Sequence, residues 1–269
     1  MPNFAQSLAL GALFYAITYS IVGVLKLAKE LAGLELNWFT ALLLQQLLVW
    51  PVTIWVAHRW AQVSFEAGCP LSSFPVRRVP AILLTALGLT ILLLALAVTI
   101  PVPEFYKKVM GHGRPQPNLF AFFLSAIVIS PISEEWLFRG LILRGFRARY
   151  SERKAVWVSA LLFGAFHLNP WQFVLAVPLG AWCAWLAVRS GSLLPGILIH
   201  VTTNCSAKFI LPPLLHVMGY TDAEMAQQAN CPLPVLGLAF GLVVVFGWVN
   251  WRQFRTVEAA PGPAEVPNY

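Results

Sequence analysis

The sequence predicts an all-α fold, a polytopic transmembrane helical bundle of about eight spans. Three observations carry that prediction. Of the 269 residues, 58% are apolar and 11% charged, and the mean hydropathy is +0.71. A soluble domain carries roughly 25% charged residues, so this chain lacks the polar side chains to cover a water-facing surface. Apolar runs of about 20 residues, long enough to cross a bilayer as a helix, recur along the chain. Acidic residues are scarce, with one Asp, Asp222. A soluble globular enzyme and a disordered chain are thereby excluded. Cys69, Cys183, Cys205 and Cys231 show no CxxC spacing, so no disulfide framework is expected either. No Lys or Arg precedes the first apolar run, which argues against a cleaved signal peptide.

Taken in order, the apolar windows fall at 6–25, 38–57, 80–102, 118–146, 155–173, 174–188, 191–212 and 233–251. The fifth and sixth are parted only by Asn169–Pro170–Trp171. Segments 58–79, 103–117 and 213–232 read as loops, and no internal repeat is visible. The expected organisation is three N-terminal spans over 1–117, a helical core over 118–212, and an extracytoplasmic loop with a last span over 213–255. The Pro-, Ala- and Glu-rich stretch 256–269 reads as a disordered tail.

The net charge of +7 does not point to nucleic acid, because the basic residues lie between apolar spans instead of forming one patch. With eight spans, one side collects Arg59, Arg77, Arg78, Arg144, Arg147, Arg149, Arg153, Lys154, Arg189, Arg252 and Arg255. The other collects Lys26, Lys29, Lys107, Lys108 and Arg114. The positive-inside rule then places both termini in the cytoplasm. The Lys26/Lys29 pair pulls the other way for the first span. Trp38, Trp60, Trp157, Trp171 and Trp251 lie near span ends, as interfacial anchors do.

Ionisable side chains inside spans cost several kcal/mol at mid-depth and mark functional sites by default. Those that stand out here are Glu134, Glu135, Arg139, His167 and His200, with the amide of Asn204, while Lys208 in the seventh window reads as snorkelling to the outer interface. Counted from the nearest basic boundary, Glu134, His167 and His200 lie roughly 15, 20 and 17 Å deep at 1.5 Å per residue. Half the hydrocarbon core is about 15 Å, so all three reach one level. Glu134 and Glu135 point about 100° apart. Arg139, four residues after Glu135, has the spacing of a helical ion pair, which would leave Glu134 as the free carboxylate and general base. His200 and Asn204, also four apart, offer two donors to a developing oxyanion. Phe163 shares a face with His167 and would wall the site. Pro131 would loosen its helix and widen the cavity. Taken singly, each feature has a bland reading as interhelical packing or polar glue. His58, His112 and His216 lie in or beside loops and read as solvated.

Three motifs stand in order: Glu134, Glu135 and Arg139 in SEEWLFRG (EExxxR), Phe163 and His167 in FGAFH (FxxxH), and His200 and Asn204 in HVTTN (HxxxN). Together, each on its own helix, they resemble the CPBP (CAAX-protease and bacteriocin-processing, or ABI) family of intramembrane endopeptidases, which includes the Ras-converting CAAX prenyl endopeptidase. The resemblance covers about residues 118–206. It implies an intramembrane glutamic-type peptidase, with Glu134 activating water with help from His167. His200 and Asn204 would hold the oxyanion, while Glu135 and Arg139 would keep the site in shape. The substrate would be a membrane-tethered protein or peptide, cut near its C-terminus.

Rival chemistries are weaker. One Asp excludes an aspartyl dyad, and neither HExxH nor GxSxG occurs. No cofactor is expected. Zinc on Glu134, His167 and His200 is the lesser alternative, and a nucleophile among Ser125, Ser130 and Ser133 has little support. Two other classes stay open: a proton-coupled transporter, which should show repeats and broken helices, and a non-catalytic scaffold or immunity-type protein. The expected location is integral in the membrane, the plasma (inner) membrane in a bacterium, with no nucleic-acid partner.

Overall fold

The computed structural model describes residues 2–33, 38–62, 64–100, 119–210, 213, 216–217 and 233–255. The readings made on 103–117, on most of 213–232 and on the tail 256–269, with Asp222, His112 and Cys231, lie outside the described residues. Among those described there is no strand, and eight helices carry the fold: α1 (Phe4–Ala32), α2 (Trp38–Ala61), α3 (Val79–Thr99), α4 (Leu119–Arg147), α5 (Glu152–Ala165), α6 (Pro170–Ser190), α7 (Leu194–Cys205) and α8 (Leu233–Arg255). They correspond in order to the eight apolar windows. The protein is an all-α integral membrane protein, and among the described residues α1, α3, α4, α6 and α8 are long and apolar enough to cross a bilayer by themselves.

The break between the fifth and sixth windows is where the structure departs from the sequence reading. Helix α5 ends at Ala165 and not at 173, and α6 already begins at Pro170. Asn169 caps α6: its Oδ1 accepts from the backbone N–H of Trp171 at 3.0 Å and of Gln172 at 3.3 Å. Pro170 follows at the first helical position, where its missing N–H costs nothing. Leu168 turns the chain with a φ of +48°. Phe166, Leu168, Trp171 and Phe173 keep hydropathy high across this turn, which hides it from a window average. With 14 residues, α5 is about 21 Å long, short of the ~30 Å hydrocarbon core.

The helices form two compact units, residues 1–68 with 102–149, and residues 69–101 with 150–269. In the first, α1 packs on α2, and α2 packs on α4. The Phe65–Gly68 turn lies so close to α4 that a Cβ on Gly140 would run into the carbonyl oxygen of Gly68. Gly140→Ala is therefore expected to cost about 1–3 kcal/mol through overpacking. A lower melting temperature in detergent checks this, with Gly241→Ala as control, since nothing lies within 4 Å of a Cβ there.

In the second unit, Ile82, Ala86, Leu179, Cys183, Leu186, Ile199 and Phe254 build one core from α3, α6, α7 and α8. Lipid is as apolar as these side chains, so helix association rests on close packing and hydrogen bonds. Both are present. The buried Asn250 amide of α8 donates to Ala81 O at 3.1 Å and to Thr85 Oγ1 at 2.9 Å on α3. Gly88 lets the α8 backbone approach α3 at Ala239. The opposite faces remain uncovered, with Leu47, Leu48, Val52 and Trp55 exposed on α2 and Leu238, Phe240, Val244, Val245 and Trp248 exposed on α8. Such apolar surface suits acyl chains.

Candidate active site

Helix α4 brings the carboxylates into the first unit. It is α-helical over Ser130–Glu135 and widens into π stretches on both sides, at Phe123–Ile129 and Trp136–Ile142. The backbone N–H of Ser130 reaches five residues back to Ser125 O, and that of Leu143 five back to Phe138 O. Pro131 opens the α-helical stretch. Lacking an N–H, it cannot continue the preceding ladder. Stretches of π-helix concentrate at functional sites, and this pair brackets Glu134 and Glu135.

The two neighbouring acids have different surroundings. Glu135 is fully buried and pairs with Arg139, Oε1 to Nη1 at 3.1 Å, with neither side chain exposed. This is the pairing that the spacing predicts. The guanidinium also lies 5.9 Å from the centre of the Phe138 ring. Glu134 is half-buried. It is not the bare carboxylate that the sequence reading expects, because the hydroxyl of Ser130, one turn back, donates to its Oε1. Ser130, weighed in the sequence only as a nucleophile, is thus a partner of the acid. A Ser four residues before a Glu was the available signal. His58 is also displaced from its sequence reading. It lies within α2, half-buried, with its ring 5.8 Å from that of Trp136.

The second unit carries the imidazoles. His167 does not sit on a helix but in the turn just beyond α5. Its Nδ1 lies 2.8 Å from the carbonyl oxygen of Phe163. A carbonyl can only accept, so Nδ1 carries the proton and Nε2 presents its lone pair. The Phe163 ring is buried and meets both imidazoles edge-on, His167 at 5.0 Å and His200 at 5.6 Å between ring centres. His200 is buried on α7, and Asn204 follows one turn on, half-buried. Phe163 is therefore the common support of the two rings. A zinc ion would find one nitrogen of His167 available, since the other is held by the backbone.

A thiol nucleophile is disfavoured by the same physics. Burial pushes the Cys69 thiol above its usual range, so at neutral pH it stays protonated and weakly reactive. Cys183 is buried, with Sγ 3.6 Å from Gly196 O.

Comparison with known proteins adds a second line. Residues 116–206 match the family described as type II CAAX prenyl endopeptidase Rce1-like. Glu134, Glu135, Arg139, Phe163, His167, His200 and Asn204 all lie within that stretch. An uncharacterised 24.3 kDa protein of Escherichia coli is 31% identical over 119 residues, which cover 41% of this chain and 53% of that protein. The chain thus spans about half the length of the curated relative it matches. No solved structure gives a significant match.

Proposed function

Since the stretch 116–206 assigns this chain to the CAAX-protease (CPBP) family, we propose that the protein is an intramembrane endopeptidase of glutamic type. It cleaves a membrane-tethered protein or peptide near its C-terminus. In this reading Glu134 takes a proton from a water molecule as the water oxygen attacks the scissile carbonyl carbon. The hydroxyl of Ser130 fixes one carboxylate oxygen and so orients the other toward that water. The Nε2 lone pair of His167, free to accept because Nδ1 donates to Phe163 O, steadies the water. As the C–O bond forms, negative charge gathers on the carbonyl oxygen, and His200 and Asn204 donate to it. Collapse breaks the C–N bond, and the proton held by Glu134 passes to the leaving amine. Glu135 and Arg139, locked to each other, keep α4 in shape around the acid. In this reading no metal takes part, and both termini face the cytoplasm, the side that the basic loops favour.

The observation that carries this reading is that one family match contains every one of these side chains. The test is mass spectrometry of membrane-protein C-termini in cells making the wild-type chain or Glu134→Gln, which keeps shape and removes the base. The expected result is a new C-terminus with the wild type, absent with Glu134→Gln and unaffected by a zinc chelator in isolated membranes. Processing that survives Glu134→Gln overturns the base, and loss with the chelator alone overturns the metal-free mechanism.

A further inference from the structure

Helix α1 lies outside the matched stretch, yet within the first unit it packs on α2, as α4 does. Its start is pinned to the end of α4: the Phe4 ring lies 6.4 Å from that of Phe146, and the Pro2 carbonyl sits where a Cβ on Gly145 would be. From that shared end the two helices run in opposite senses. Tyr15 is eleven residues beyond Phe4, and Glu135 and Glu134 are eleven and twelve before Phe146. At 1.5 Å per residue Tyr15 lies about 16 Å along α1. The acids, reached through the shorter-rising π stretch Trp136–Ile142, lie somewhat under about 16–18 Å along α4, so the Tyr15 phenol and the Glu134 carboxylate reach nearly the same level. The two groups interact electrostatically.

The ring is held in place. Phe14 meets it edge-on at 5.4 Å and in turn packs at 4.8 Å on Trp50 of α2. Tyr19 stacks on its other flank at 6.2 Å. A phenol keeps its proton at neutral pH, with an ordinary pKa of about 10, and beside a carboxylate it acts as a donor. We propose that Tyr15 is a positioning residue for Glu134, a second hydroxyl that works with Ser130 to hold the carboxylate aligned. This rests on Glu134 being the base of the peptidase. It makes α1 part of the active machinery and not merely a membrane anchor.

Two readouts on the full-length protein in detergent or nanodiscs test this. The first needs no substrate: infrared difference spectra of Tyr15→Phe against wild type, recorded in the native and the Glu134→Gln backgrounds. The expected result is a shifted carboxylate stretch in the native background that vanishes with Glu134→Gln. Tyr15→Phe keeps the ring and its packing, and Tyr19→Phe serves as the neighbouring control with no such band. The second readout is turnover of the substrate found by C-terminal mass spectrometry. Tyr15→Phe is expected to lower kcat about tenfold with KM unchanged, the loss of one hydrogen bond's worth of alignment. An unshifted carboxylate band, or wild-type kcat in Tyr15→Phe while Glu134→Gln is dead, overturns the role of Tyr15 alone. Wild-type processing by Glu134→Gln overturns the base itself, and the Tyr15 role with it.

Discussion

Arg139→Ala should be the most damaging substitution outside the reacting groups, costing about 3–5 kcal/mol. Glu135 and Arg139 are both shut away from solvent, and their ion pair spans 3.1 Å. Removing the guanidinium leaves a carboxylate buried beside the π stretch of α4, where its charge must be suppressed or its helix must shift. The check is thermal or denaturant unfolding in detergent, with the single variants set against the double Glu135→Gln/Arg139→Met. Replacing both charges with groups of similar volume should restore much of what either loss removes, because the desolvation penalty disappears together with the attraction. Arg139→Ala unfolding at the wild-type midpoint would sink this expectation. Activity is expected to follow stability here, in contrast to substitutions at the reacting groups.

His200→Ala and Asn204→Ala should each lower kcat by roughly 10²–10³ with little change in KM, the usual result of removing one donor from an oxyanion site. Both occupy one face of α7, and His200 is braced by the buried Phe163 ring. The measurement is single-turnover cleavage of the substrate identified by C-terminal mass spectrometry, with circular dichroism to confirm folding. The double variant should lose less than the product of the two single losses, because groups acting on one oxygen are not additive. A raised KM with unchanged kcat would assign the pair to substrate binding instead.

The fold was largely legible because lipid solvent reduces the folding code to apolar runs, and all eight helices follow from them. Helix ends were not. Window averages cannot see a turn built from Phe166, Leu168 and Trp171, and the local chemistry of Asn169 and Pro170 placed it better than hydropathy. The Glu135–Arg139 pair was readable from four-residue spacing because side chains one turn apart meet on any helix. The partnership of Ser130 with Glu134 obeys the same spacing but carries no charge complementarity to announce it. His58 looked solvated because it falls near the end of an apolar run, whereas it packs on Trp136 inside α2. Tyr15 gave no signal, since one tyrosine among the apolar residues of a first span looks like filler until the neighbouring helix is known. The π stretches also left no trace, because a wide turn has no residue preference strong enough to read from one chain.

Those wide stretches give α4 an unusual tolerance and an unusual fragility. Each harbours surplus backbone that an ordinary helix would not hold. Deleting one residue from Phe123–Ile129 lets that segment relax to regular winding, so the rod itself survives. That deletion leaves the parts on either side facing as before, because the wide turn takes up its extra residue without the roughly 100° of rotation a regular helix would add. A residue lost from Ser130–Glu135, which is regularly wound and has nothing to spare, would instead re-aim one half against the other by about 100°.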